Sequence, residues 1–413
     1  MWKDAPTTLA LNLTTPETSD QPRRDVLVLC PQQRDLDVIR ASGLEGRYRV
    51  RYVGADLDSG DPFDAPAFLA SCAELPADAV LATKDRSALL GALVAARLAL
   101  AGPTPEAVIR CQHKPIARAL QREVIPEATP RFAVLDEGTP PFPPPFFVKP
   151  VVGRLSQHAR RVEDPAGLLG IPATDDYARG WGEIAALAGF PPKEAHGYIV
   201  EELLTGDEVT LEGYVHENRV TVIGVTDSVK YPRTASFERF EYPSRLSTDR
   251  QAELRDVAVR LLPALGFDAG FFNVEFAVPE RGPARILEIN ARIASQFAPL
   301  VEAVHGRSTY DALFALAAGG DPRWDPRARN GVAISYALRA FDDAFVAGVP
   351  DSEPGVEVLV RPGLRLSEQG ANDAFSYRLA IFYEAGETRE EAVERCLRRA
   401  RSLRGRFRLR PTT

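Results

Sequence analysis

Short apolar runs alternate with helical periodicity in the first part of the chain, after a polar tail of 24 residues. The first apolar run is Asp25 to Cys30, and others lie at 48–53 and 78–83. Segments with helical spacing separate these runs, and the alanine-rich stretch 88–101 follows the last. Strands that alternate with helices predict a small parallel sheet, so residues 25–110 are expected to form an N-terminal α/β domain.

The pattern changes after a proline-rich segment. The run TPPFPPPFF at 139–147 has five prolines in nine residues, and because no ordinary helix can cross it, it marks a break within the chain. Strand-rich sequence follows, with His216 to Asn218 as the expected turn of one hairpin, then a helix at 248–265 and a second hairpin. From about residue 331 the pattern predicts short strands and a charged helix at 389–403. An antiparallel sheet is therefore expected in the middle of the chain, and an α+β region at its end.

Composition is that of an ordinary globular protein, and charge narrows the range of partners. Hydrophobic residues make up 45% and charged residues 26%, which excludes a largely disordered chain. Lys and Arg total 50 and Asp and Glu total 57, so the net charge is −7. That balance disfavours a general nucleic-acid-binding surface. An anionic substrate such as a nucleotide would need a local cluster of cations or a metal.

Cysteine spacing and hydropathy bear on the compartment. The four cysteines, Cys30, Cys72, Cys111 and Cys396, include no close pair of the kind that closes a zinc site or a redox dithiol. The polar tail lacks the apolar core of a signal peptide. The most apolar stretch, at 88–101, contains an arginine and falls short of the ~20 residues that cross a bilayer. We therefore expect a buried helix there, a cytoplasmic protein and no membrane partner.

The second hairpin carries the sharpest local chemistry. A turn centred on 281–282 pairs Glu275 with Glu288 and Asn273 with Asn290, so that all four side chains share one face. Facing carboxylates repel by a few tenths to ~1 kcal/mol when exposed, and by more when buried. A divalent cation reverses the sign, and Mg²⁺ binds such oxygens together with water and phosphate. The hairpin predicts a metal site for a phosphorylated ligand, or a solvated face on which Glu288 pairs with an arginine.

Around this hairpin the sequence resembles the ATP-grasp superfamily, whose metal-binding strand commonly reads E-x-N-x-R. Here the strand reads EINAR at 288–292, and the resemblance implies that Glu275, Glu288 and Asn290 hold Mg²⁺, or Mn²⁺. It also implies the superfamily's α/β and α+β fold, with a small parallel-sheet domain, a two-lobed nucleotide-binding region and a small α+β domain. The expected divisions are 1–24 (tail), 25–110 (N-terminal domain), 111–205 (small lobe), 206–330 (large lobe with the metal site) and 331–413 (C-terminal domain packed on the large lobe).

Other segments occur in the order that this resemblance requires. CQHKPIARAL resembles the segment with the first nucleotide-contacting lysine, FFVKP the strand with the second, and YIVEELLTGDE the hinge that holds adenine and ribose. The match assigns ATP contacts to Lys114, Lys149, Ser156, Glu201, Glu202, Leu204 and Glu208, with Glu208 accepting the ribose hydroxyls. Lysines and a divalent cation suit this role because they offset phosphate charge during phosphoryl transfer.

The loop after Lys149 departs from the family pattern. Family members commonly have several glycines there, and their backbone N–H groups close over the phosphates. This chain reads KPVVGRLSQHARRV, with one glycine and with Ser156 near the phosphate-facing position. Arg154, Arg160 and Arg161 either supply charge in place of the glycines or form a solvated face.

The resemblance implies an ATP-dependent carboxylate–amine ligase that joins two small acids through an acyl phosphate and releases ADP and phosphate. Arg292 is the candidate for neutralising oxygen charge on the acyl phosphate and the tetrahedral intermediate, because its fork can hold two oxygens. A salt bridge to Glu288 or Glu302 is its structural alternative. Biotin-carboxylase-type carboxylation and a non-catalytic ATP-binding regulator are the alternative functions.

A charged and aromatic stretch at 226–246 follows the hinge strands and is a candidate lining for the second-substrate pocket. Lys230, Arg233 and Arg239 are its candidates for contacting a substrate carboxylate, and exposed loop charges are the alternative. The expected partners are small-molecule carboxylate and amine substrates. The sequence identifies neither substrate, and the oligomeric state stays open, with a homodimer as one expectation.

Overall fold

The computed structural model describes residues 23–57, 63–135, 140–154, 157–171, 173–174, 176–325, 327, 331–369 and 376–411. Most of the polar tail and the candidate Ser156 lie outside these ranges. Within them the strands form sheets of three, four, eight and two strands.

The N-terminal domain is a parallel sheet with helices around it, as the alternating pattern predicts. Its elements are β1 (Asp25–Leu29), α1 (Gln33–Ala41), α2 (Leu44–Arg47), β2 (Arg49–Val53), α3 (Ala65–Ala73), β3 (Ala79–Leu81) and α4 (Asp85–Leu98). Strand β1 lies in the centre and pairs in parallel with β2 and β3. The apolar stretch forms α4, which is buried from Ser87 to Ala95. No helix in the described ranges is long and apolar enough to cross a membrane.

Two helices lead from this domain into a four-stranded antiparallel sheet, the small lobe. The elements are α5 (Pro105–Gln112), α6 (Lys114–Val124), β4 (Phe132–Val134), β5 (Phe146–Pro150), β6 (Arg160–Val162), α7 (Asp176–Ala186) and β7 (Tyr198–Glu202). The strand order is β4–β7–β5–β6. Lys114 opens α6, and its backbone N–H donates to the carbonyl of Val151 just beyond β5. The helix start and the end of β5 are thereby joined.

An eight-stranded antiparallel sheet forms the large lobe and continues into the C-terminal region. The elements are β8 (Asp207–His216), β9 (Arg219–Lys230), β10 (Phe237–Tyr242), α8 (Thr248–Ala264), β11 (Gly270–Val278), β12 (Arg285–Asn290), α9 (Ala298–His305), α10 (Thr309–Ala317), β13 (Val332–Ala340), β14 (Ala344–Gly348), β15 (Val356–Val358), β16 (Tyr377–Gly386), α11 (Arg389–Arg404) and β17 (Arg408–Pro411). The strand order is β12–β11–β8–β9–β10–β13–β16–β15. Because β10 pairs with β13, the sheet is continuous across the expected division at 331. The remaining strands, β14 and β17, pair with each other.

The two faces of the large sheet differ in character. On β11, Phe272, Val274 and Phe276 are fully buried in the same core cluster as the apolar positions of α8. Because side chains alternate along a strand, Asn273 and Glu275 point to the opposite face. That face carries the candidate site. The four cysteines are buried free thiols.

Candidate active site

The two acids of the second hairpin face each other, and we call Glu275 and Glu288 the acid row. They are cross-strand neighbours on β11 and β12. One row further along, Asn273 is paired with Asn290. Asn290 Nδ2 donates to Asn273 Oδ1 at 2.8 Å and to Glu275 Oε1 at 3.2 Å. The register predicted for these four residues is therefore confirmed, and two carboxylates and two amides share one face.

A β-bulge changes the register nearer the turn. Beyond the acid row, Phe276 pairs with Ile286, so Leu287 is an extra residue on β12. The predicted register is wrong by one residue there. An extra residue stands outside the strand ladder, and here the Leu287 carbonyl accepts hydrogen bonds from Lys149 Nζ at 2.9 Å and Arg118 Nη2 at 2.8 Å. The bulge thus fastens two cations beside the acid row.

Both predicted nucleotide lysines lie in this cluster, with an arginine that the sequence analysis did not single out. Lys114 Nζ is 2.9 Å from Glu288 Oε1, and Lys149 Nζ is 2.9 Å from Glu201 Oε2. The other oxygen of Glu201 accepts from Arg118 Nε at 2.7 Å, and both of these side chains are only 2% exposed. Arg118 lies one helical turn after Lys114 on α6. That i,i+4 spacing is the sequence signal that could have found it.

The cations and acids of the cluster shift carboxyl pKa values in opposite directions. Burial, with repulsion from Glu288, raises the pKa of Glu275 to about 7. Burial also opposes ionisation of Glu288, but Lys114 and Lys149 outweigh it and hold the pKa of Glu288 below its ordinary value. Two cations do the same for Glu201 against the effect of burial. Of these three carboxyls, Glu275 is therefore the one whose ionisation is least favoured.

Arg292 is held by a residue of the N-terminal domain. Its Nε and Nη2 donate to the two carboxylate oxygens of Asp85 at 2.7 and 3.1 Å. The partner is therefore neither Glu288 nor Glu302, the two alternatives considered from sequence. Although burial opposes it, Asp85 raises the pKa of Arg292 above its ordinary value. The two residues are 207 positions apart, so no local pattern signals the contact.

The middle of the chain matches a known protein family. Residues 142–299, which span both lobes and the acid row, match the family described as the ATP-grasp domain. Residues 142–299 are therefore an ATP-grasp domain. The fold prediction made from sequence is thereby confirmed.

Individual relatives match the chain at low sequence identity. The chain is 26% identical over 301 residues to the uncharacterized protein y4rH of Sinorhizobium fredii and 33% identical over 144 residues to carnosine synthase 1 of Gallus gallus. These matches cover 68% and 35% of this chain, but only 59% and 14% of the relatives' lengths. The solved L-amino acid ligase from Bacillus licheniformis matches 95% of this chain and 100% of its own, with a TM-score of 0.73 and 17% identity. That likeness concerns the fold.

The candidate ribose acceptor of the ATP-grasp resemblance lies beside the acid row. Glu208 on β8 contributes, through its charge, to the raised pKa of Glu275, after burial and Glu288. Its carboxylate is paired with the ammonium group of Lys230, one of the three candidate substrate cations. That ammonium group also lies 5.6 Å from the ring centre of Phe237. Lys230 is thus held at the edge of the cluster through Glu208.

The other two candidate substrate cations are not brought to the acid row. Thr226 on β9 lies in the row that includes Glu275, so Asp227 and its partner Glu241 face the opposite side of the sheet. Arg239 Nε donates to Glu241 at 2.7 Å, so it belongs to that side. Arg233, with a positive φ of 62°, is exposed in the turn between β9 and β10.

The remaining predicted ATP contacts lie around the cluster or outside the described residues. Glu202 accepts from the backbone N–H and Nε of Arg131, both at 2.9 Å. Leu204 is half-buried in the link between β7 and β8. The loop residue Arg154 packs over the ring of Tyr177 at 5.4 Å, and Tyr177 lines a small cavity. The cavity is lined by Asp85, Gln112, Val152, Gly153, Tyr177, Trp181, Glu288, Ile289 and Asn290.

A buried acid on β8 was also not identified from the sequence. Glu212 pairs across the strand with Asn273, and its Oε1 accepts the backbone N–H of Ala294 at 2.6 Å. Its Oε2 has no hydrogen-bond partner among the described residues. Burial raises the pKa of Glu212 to about 8, so the carboxyl is mostly protonated at pH 7. Its spacing of four residues from Glu208 on one strand could have placed both on the same face.

Proposed function

We propose that this ATP-grasp protein is an ATP-dependent carboxylate–amine ligase that joins two small acids through an acyl phosphate. The observation that carries the proposal is the acid row lying against Lys114 and Lys149, with Arg292 two residues beyond the end of β12. Such a site offers negative oxygens to a metal and positive groups to phosphates, which phosphoryl transfer from ATP requires. The names of the two characterised relatives, a carnosine synthase and an L-amino acid ligase, support ligation of amino acids.

The acid row suits a hard divalent cation. Two half-buried carboxylates face each other beside an amide, and a cation would relieve their repulsion. Among the described residues, no group of three or more His, Cys, Asp or Glu side chains could hold a metal. Mg²⁺ commonly takes one or two carboxylates and completes its shell with water and phosphate. Mg²⁺ or Mn²⁺ held by Glu275, Glu288 and Asn290 would neutralise phosphate charge during transfer.

The side chains of the cluster divide the remaining work. Lys114 and Lys149 bind the nucleotide phosphates, and both are buried where water would screen their charge little. A carboxylate oxygen of the first substrate attacks the terminal phosphorus of ATP, and ADP leaves. The amine nitrogen of the second substrate then attacks the acyl carbon, loses a proton and displaces phosphate. Arg292 stabilises the oxygens of the acyl phosphate and the tetrahedral intermediate with its charge and with the N–H groups that do not bind Asp85.

An assay of ADP formation tests this function. The protein is incubated with ATP, Mg²⁺ and each of the proteinogenic amino acids singly and in pairs. We expect ADP and phosphate only with particular acids, together with an amide product detected by mass spectrometry. ADP formation that depends on bicarbonate and biotin would indicate carboxylation instead. Tight ATP binding without turnover on any acid would indicate a regulator.

A further inference from the structure

The N-terminal domain contributes a side chain to the active site through the first turn of α4. There Asp85 accepts both hydrogen bonds from the fork of Arg292. We propose that Asp85 is a positioning residue, which fixes the guanidinium of Arg292 in the orientation that receives the acyl phosphate. This inference rests on the proposed ligase function.

Two parallel hydrogen bonds define the position of a guanidinium and also its plane. The other edge of Arg292 is also held, because Nη1 donates to the carbonyl of Ile293 at 3.3 Å. Nη2 lies 3.5 Å from Oδ1 of Asn290, the amide of the candidate metal site. The guanidinium is therefore oriented between the N-terminal domain and the metal strand.

Asp85 is itself held in place from the side away from Arg292. Its backbone carbonyl accepts from Gln112 Nε2 at 2.8 Å, and Gln112 Oε1 accepts from Trp181 Nε1 at 2.7 Å. Both of these side chains are buried. A chain of hydrogen bonds thus runs from α7 through α5 and α4 to Arg292, and it lines the cavity beside Glu288.

The ion pair is mostly shielded from water. The Arg292 and Asp85 side chains are 23% and 20% exposed, so removing the carboxylate charge leaves the guanidinium without its partner and can also lower stability. Misplacing a catalytic group by 1 Å can lower a rate by about 100-fold. Asp85→Asn keeps the size of the side chain and one acceptor oxygen, so its effect on catalysis is read from kcat of the folded protein.

The experiment compares wild type with Asp85→Asn in the full-length protein. ATP, Mg²⁺, single proteinogenic amino acids and hydroxylamine are supplied, because hydroxylamine traps an acyl phosphate as a hydroxamate and releases phosphate. We expect kcat for hydroxamate formation to fall about 10- to 100-fold while the KM for ATP changes less than about twofold. Asp85→Glu, which restores the charge, should recover part of the loss.

Asp56→Asn is the matched control, since Asp56 pairs with Lys84, the neighbour of Asp85, at 2.7 Å. It should change kcat less than about twofold. Asp85→Asn should also add little further loss in an Arg292→Gln background, because residues that act through one another are non-additive. Normal or raised kcat in Asp85→Asn, or independent losses in the double variant, would overturn the inference. Absence of ADP and hydroxamate in wild type with every acid would instead overturn the ligase function.

Discussion

Two carboxylates of the site, the buried Glu201 and the half-buried Glu275, differ in how their charge is balanced. Glu201 has one oxygen on Arg118 and the other on Lys149, at 2.7 and 2.9 Å. Glu275 receives an amide hydrogen bond and faces the carboxylate of Glu288. The first carboxyl consequently has a lowered pKa, and the second has a raised one.

This difference separates residues that build the site from residues that act in it. A buried carboxylate with two cations is complete without ligand, and its removal would leave uncompensated charge. Glu275 faces a second acid, which is itself paired with Lys114, and receives an amide hydrogen bond in place of a cation. Unbalanced groups of this kind concentrate at functional sites. Substitutions on the Glu201 side should therefore change stability, whereas those on the acid row should change catalysis.

Removing the cation from the balanced side has the largest expected effect on folding. Arg118→Met keeps much of the side-chain volume but leaves Glu201 with one cation and removes the donors to the carbonyls at the bulge. Breaking a buried pair in this way should lower the free energy of unfolding by about 3–5 kcal/mol, measured by urea denaturation. Arg131→Met is the control, because Arg131 is 57% exposed in its pair with Glu202, and it should cost about 1 kcal/mol or less. Equal losses in the two variants would contradict the comparison.

Removing charge from the acid row should instead reduce turnover. Glu288→Gln takes away one negative metal ligand and should lower kcat for ADP formation by about 10²- to 10³-fold. The free energy of unfolding should change by less than about 1 kcal/mol, because the lost pairing with Lys114 is offset by relief of repulsion on Glu275. Both quantities are measured on the same preparation. Near-normal ADP formation by the folded variant would refute the metal assignment.

The parts of the site that sequence predicts are those governed by short-range rules. Strand alternation and one turn place Glu275 opposite Glu288, and the order of motifs places Lys114 and Lys149 near them. The parts it misses depend on three-dimensional context. Asp85 reaches Arg292 only because the N-terminal domain packs against the large lobe.

The register error near the turn and the position of Arg239 also have a physical explanation. The bulge at Leu287 provides a carbonyl for buried cations on other elements, and nothing in the local sequence signals it. Arg239 is a plausible substrate contact from composition, but its strand turns it toward Glu241 on the far face. The direction of the Arg239 side chain depends on the register of β10 against β9, which shifts at a bulge between Phe237 and Arg239.

The last expected effect, on the pH dependence of stability, concerns Glu212, whose pKa is raised like that of Glu275 but without a facing acid. Burial raises its pKa from an ordinary 4.5 to about 8, so between these values the folded protein retains a proton that the unfolded chain has lost. This group therefore makes the free energy of unfolding decrease as pH rises through that window. Glu212→Gln keeps a neutral side chain and should flatten the decrease by at most about 1.4 kcal/mol per pH unit, measured by urea denaturation between about pH 5 and pH 8. Glu163→Gln, at a side chain that is 67% exposed, should follow wild type. Parallel curves for wild type and Glu212→Gln would show that burial does not keep this carboxyl protonated.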